Sequence, residues 1–153
     1  AEIGITTICE SPQSYPFTHF SQFQPHRLEA SGRTFFGKSL ELACDELASL
    51  LHGYNAQGRP YNTPTVLVMS DGAPFGESSG VTQAGIDRIK SLEAARQIFL
   101  IPAGVTRDDC DRLDLMKFSQ RALCIAEINW IELFRIVTAS AGKIAAGQRP
   151  MSV

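Results

Sequence analysis

The sequence predicts an α/β fold: a doubly wound, mainly parallel sheet with helices on both faces. Three observations predict it. Short, almost wholly apolar runs recur at 66–69, 98–101 and 122–126, and a strand without a polar face has to be covered on both sides. Amphipathic helical patterns lie between those runs. Strand and helix alternate through the second half, and that order builds crossovers whose helices cover a parallel sheet.

Each element follows from its local pattern. Ile3, Ile5 and Cys9 alternate with Gly4, Thr6 and Ile8, and few of these are polar. Residues 3–9 therefore read as a strand covered on both faces. Ser11, Pro12 and Gln13 break it. Residues 15–20 read as a second, short strand, with Pro16 favouring an edge position. Residues 22–33 are polar and irregular. Over 38–52, Leu40, Cys44, Leu47 and Leu51 recur at intervals of four, three and four, which makes one apolar helix face. Gly53 is expected to end that helix, and 54–63 to form a loop. The run of Val66, Leu67, Val68 and Met69 is expected to be a central parallel strand stopping at Ser70-Asp71-Gly72.

A second helix is expected over 81–96, with Ile86, Ile89 and Leu92 inward. A buried strand follows at 98–101, closed by Pro102-Ala103-Gly104. Residues 108–119 read as a helix whose acidic start suits the helix dipole. A last strand is expected at 122–126. Asn129 and Glu132 then read as an N-cap and its third-position partner. They open a helix running to about Ala146, with Ile131, Phe134, Val137 and Ile144 inward and Gly147 as its stop. One domain thus spans 1–147, and 148–153 form a C-terminal tail.

The 153 residues suffice for one real core, and 44% hydrophobic with 20% charged residues is ordinary globular usage. A net charge of -2 without a broad basic field argues against a nucleic-acid partner. The apolar runs fall far short of the roughly 20 residues that cross a bilayer, so no membrane role is expected. Cys9, Cys44, Cys110 and Cys124 form no C-x-x-C pair, and no His stands at zinc-finger spacing from them. Cys9, Cys44 and Cys124 lie in apolar segments and read as buried, reduced thiols. A cytoplasmic, reducing setting is the matching expectation.

Three motifs compete for the function. Gly32-Arg33-Thr34-Phe35-Phe36-Gly37-Lys38-Ser39 matches G-x-x-x-x-G-K-[ST], the phosphate-binding loop, with residues 66–71 as an acidic strand to support magnesium. Such a loop should follow directly on a buried strand, and residues 25–31 make a poor one. Ser70 is no nucleophile elbow, because Val68 stands where that motif needs Gly. A hydrolase of that type also needs a His after its Ser, whereas His19, His26 and His52 all come before. The third pattern is oxygen-rich. Thr34, Gly37 and Leu40 form T-x-x-G-x-x-L at a helix start, V-L-V-M-S-D-G ends on Asp71 and Gly72, and a later strand ends Ile101-Pro102-Ala103-Gly104.

That succession resembles the von Willebrand factor type A domain, over nearly the whole chain. It is most similar to the bacterial cytoplasmic kind, some of which belong to tellurite-resistance and related stress systems. The resemblance implies a Rossmann-like fold and a magnesium or similar ion at the top of the sheet. Thr34 would be the family's threonine ligand and Asp71 its aspartate. Hard oxygen ligands suit Mg²⁺, which keeps waters and leaves a place for a partner's carboxylate. The implied function is protein binding without covalent chemistry, through a partner that offers an acidic residue.

The family's D-x-S-x-S motif does not occur in residues 1–153, and Arg33 stands where the family has a small residue. By the resemblance, the family's first strand and first helix are absent. The missing strand would lie between those at 3–9 and 65–70, leaving a place about 9–10 Å wide. Two further readings stand beside this one. One is a nucleotide-binding ATPase or GTPase using residues 32–39. The other is a scaffold that has lost its ion site, with Thr34 capping the following helix and Asp71 turning the chain with Gly72.

Overall fold

The computed structural model of the chain describes residues 1–28, 32–70, 74–112 and 122–125. The protein is mixed α/β, with helices and a three-stranded parallel sheet. It divides into two compact units: Ala1–Arg59 with Pro74–Lys90, and Pro60–Ala73 with Ser91–Val153.

The first unit opens on an antiparallel hairpin of β1 (Glu2–Thr6) and β2 (Ser14–His19). The strand stops at Thr6 rather than Cys9 because the connection closes on itself. Thr7 N–H donates to the Gln13 carbonyl at 2.9 Å, and Gln13 N–H donates back to Thr7 Oγ1 at 2.9 Å. Cys9 therefore lies in the turn and is only half-buried. All of β1 is half-buried rather than covered on both faces. The pairing shifts register between Ile3 and Ile5, and the Phe17 ring lies over Gly4 there. Pro16 is accommodated in the two-stranded ribbon.

Helix α1 (Phe36–Ala56) packs against both strands of the hairpin. Its apolar face is as expected, with Phe36, Leu40, Cys44 and Leu47 buried and Leu51 half-buried. It does not end at Gly53. A glycine stops a helix by leaving the helical conformation, and here Gly58 does so, at φ 62, just past Gln57. Helix α2 (Ser79–Ala94) buries Ile86 and Ile89, with Leu92 half-buried.

In the second unit the strands run β3 (Thr65–Ser70), β4 (Phe99–Gly104) and β5 (Leu123–Cys124), paired in that order and all parallel. The β3–β4 ladder runs from Thr65↔Phe99 to Ser70↔Gly104 without a shift. Pro102-Ala103-Gly104 does not close β4 but forms its second half. Proline lacks a donor, yet its fixed φ suits extended backbone, and β5 pairs only beyond it, at Ala103↔Leu123 and Gly104↔Cys124. Leu100, Ile101 and Ala103 are buried, as is Val68 of β3. Helix α3 (Arg107–Arg112) packs against β4 and β5. The expected helix over 108–119 is seen in these first residues, while 113–121 lie outside the described set. So do Ala126, the expected helix from Asn129 to Ala146, Gly147 and the tail. Among the described residues, no helix is long and apolar enough to cross a membrane.

Candidate functional site

The start of α1 carries the motif residues, and its chemistry begins with unmet donors. The first amides of a helix have no acceptor within the helix. Here the N-cap is Phe35, which has no side-chain oxygen, and no acidic residue stands in the first turn. Glu77, just ahead of α2, fills the gap. Its Oε1 accepts from Gly37 N–H at 2.5 Å, and its Oε2 accepts from Lys38 N–H at 3.3 Å. Thr82 Oγ1 donates to Glu77 Oε1 at 2.9 Å, which fixes the carboxylate from the side of α2. The negative charge also suits the positive end of the helix dipole.

Backbone contact makes this reach possible. A Cβ on Gly37 would stand 2.2 Å from the Val81 carbonyl oxygen, and one on Gly85 would stand 2.5 Å from the Gly37 oxygen. Only glycine at both positions lets α1 and α2 approach so closely. Farther along the same pair of helices, Arg88 donates to the Glu41 carboxylate and to Asp45 Oδ1, the latter at 2.6 Å. The Asp45 and Glu41 carboxylates raise the pKa of the Arg88 guanidinium further above its ordinary value. Cys44 is buried in α1, and burial pushes its thiol up.

Thr34 lies in the loop before α1. Its carbonyl accepts from Phe36 N–H at 3.0 Å and from Phe75 N–H at 3.1 Å. Among the described residues its hydroxyl has no hydrogen-bond partner, and the cap expected of it is supplied by Glu77. Asp71 and Gly72 lie outside the described residues. Among the described residues, no group of three or more His, Cys, Asp or Glu side chains is placed to hold a metal ion.

The phosphate-loop match looks different once folded. The Gly37 and Lys38 amides, which would cradle a phosphate, already donate to Glu77. The Ser39 hydroxyl, which would meet magnesium, is buried and donates to the Phe35 carbonyl at 2.6 Å. Lys38 Nζ stands 4.8 Å over the Phe35 ring. Of the histidines, His19 Nδ1 is 2.8 Å from Ser21 Oγ, His26 stacks on Tyr15 with centroids 4.2 Å apart, and His52 is exposed on α1. Ser70 is the buried last residue of β3.

Glu77 is the residue that reading the sequence misses. Its partners are 40 and 39 residues away, so no local capping pattern points to it. The available signals were an uncapped helix start at Phe35 and a carboxylate shortly before the second helical pattern. Comparison of the chain with protein-family models, with curated proteins and with solved structures finds no match in any of the three.

Proposed function

We propose that the chain is a von Willebrand A-like protein-binding module, doubly wound, in which Thr34 and Asp71 contribute oxygen ligands to a magnesium-type ion that receives a partner's acidic side chain. The observation that carries this reading is the Thr34 loop. Its backbone is anchored by Phe36 and Phe75, its hydroxyl has no partner among the described residues, and the helix behind it is capped by Glu77 instead. A threonine not used as a cap is available as a ligand. The order of elements agrees: a hairpin, a long helix, then parallel strands with helices between them. β1 pairs with β2, and β3 pairs on one side with β4.

One hydroxyl and one carboxylate are far from the six oxygens that Mg²⁺ prefers. Water and outside ligands complete the set, so ion binding by residues 1–153 is weak. Mn²⁺ replaces Mg²⁺ as a paramagnetic probe in the test. Added Mn²⁺ is expected to broaden the amide resonances around Thr34 and Asp71 first. Thr34→Ala and Asp71→Ala should each remove that selectivity while leaving the spectrum otherwise folded. Broadening that centres on Glu41 and Asp45, or spreads evenly over the acidic surface, overturns the reading.

A further inference from the structure

The end of β4 brings two thiols to one place. Cys110 lies in α3 and Cys124 in β5, both in the second compact unit. Gly104 is paired with Cys124 across the parallel ladder. Paired residues of neighbouring strands carry their side chains on the same face, and the strands lie about 4.8 Å apart. A Cβ built on Gly104 would stand 2.4 Å from Cys110 Sγ. The Cys110 sulfur therefore fills the space that a side chain at 104 would take, on the face where Cys124 projects.

Two polar contacts narrow the distance. Cys110 Sγ lies 3.5 Å from the Leu123 carbonyl oxygen, part of the peptide that leads into Cys124. Cys124 Sγ lies 3.9 Å from the Val105 carbonyl oxygen, one residue past Gly104. Both sulfurs thus flank the 104–105 backbone from one side. A disulfide needs Cβ atoms about 3.5–4.5 Å apart. Closing the bond thus requires the backbone of the six-residue α3 to bring the Cys110 Cβ within that range of Cys124, after which side-chain rotation aligns the sulfurs.

We propose that Cys110 and Cys124 are a reversible redox pair, which closes to a disulfide when the protein meets hydrogen peroxide and reopens with a small-molecule thiol. Cys124 is half-buried and Cys110 buried, so the oxidant reaches Cys124 first. Its sulfur takes one oxygen from the peroxide to become a sulfenic acid, and the other oxygen leaves as water. Cys110 sulfur then bonds to Cys124 sulfur, and the sulfenic oxygen departs as a second water with the Cys110 proton. The two thiols lose two electrons and the peroxide O–O bond gains them. Burial pushes the Cys110 thiol up, which suits a group that resolves the intermediate rather than meeting the oxidant. The closed bond staples α3 to β5 across the end of β4. Cys44 is buried in α1, and Cys9 makes its contacts within its own turn, with Thr7 and Ser11.

The test is a thiol map of the full chain, independent of the proposed ion site. Reduced protein is treated with hydrogen peroxide, alkylated under denaturing conditions and cut with trypsin. The expected result is loss of two of the four alkylatable thiols. The tryptic peptide 108–112 should then be linked to 122–135, and dithiothreitol should reverse the link. Cys124→Ser should abolish the link, and Cys110→Ser should leave a Cys124 sulfenic acid that dimedone traps. Four thiols still alkylated, a sulfinic acid at Cys124 without the link, or a dominant link through Cys9 or Cys44 would each overturn the proposal. The map of the unaltered chain decides the matter even if a variant fails to fold.

Discussion

The two compact units are held by different kinds of contact. In the second, β3 and β4 run side by side through an unbroken parallel register, and the residues that matter are apolar and buried: Val68, Leu100, Ile101 and Ala103. In the first, the start of α1 meets α2 through bare backbone at Gly37 and Gly85, and a carboxylate 40 residues away completes the helix. Volume in the one place is something to be kept, and in the other something to be kept out. A hydrophobic ladder writes itself into the sequence as an apolar run, whereas two glycines in contact leave no hydropathy signature.

Changes in side-chain size at the two regions test that contrast directly. Leu100→Ala removes volume from the ladder and should cost about 3 kcal/mol in urea unfolding, because a buried leucine leaves a cavity when truncated. In the first unit the loss should come instead from adding a single methyl. Gly37→Ala or Gly85→Ala forces a Cβ into backbone atoms and should cost about 2 kcal/mol, even after the helix-propensity gain of about 1 kcal/mol. Gly53→Ala is the control. It lies in the same helix as Gly37 with nothing within 4 Å of its added Cβ, so it should gain stability by up to about 1 kcal/mol. If all three glycine variants behave alike, backbone approach does not govern this unit.

The polar half of the contrast is weaker. Glu77→Ala leaves two helix amides without their carboxylate and should cost about 1 kcal/mol, the usual scale of a lost cap. A loss no larger than that of an exposed glutamate would remove Glu77 from its capping role. The smallest effect is expected at Glu2 in β1. A hydrogen bond from the Tyr54 hydroxyl, with Arg59 3.2 Å away, holds its carboxyl below the ordinary value of 4.5. A lowered folded-state value stabilises above the ordinary one and is lost as pH falls through the folded value. Stability of the native chain should therefore fall a little more steeply below about pH 4.5 than that of Glu2→Gln. Parallel stability curves for the two would show that the pair contributes nothing.

How much was legible follows the same division. The faces of α1 and α2 came from periodicity and β3 from its unbroken apolar run. But β3 was expected to be central, and among the described residues it is an end strand, paired with β4, with Met69 exposed. The first strand was read too long, to Cys9, and as covered on both faces, since Thr7 and Gln13 close the hairpin by hydrogen bonds that hydropathy does not register. β4 was cut short at Pro102, where the local rule about proline yielded to a neighbour that begins pairing one residue later. Of the two expected ion ligands, Thr34 is placed with its hydroxyl unspent among the described residues, and Asp71 lies outside them. The alternative in which Thr34 caps the helix is not seen, because Phe35 is the N-cap and a distant carboxylate takes the first amides.

Glu77 has a consequence for how the molecule breathes. Amides in the first turn of a helix ordinarily exchange their hydrogens with water quickly, since nothing holds them. Gly37 and Lys38 are held from the far side of the α1–α2 contact. Their exchange should therefore be slower than that of ordinary first-turn amides, and should report how often the Glu77 carboxylate lets go rather than fraying of the helix.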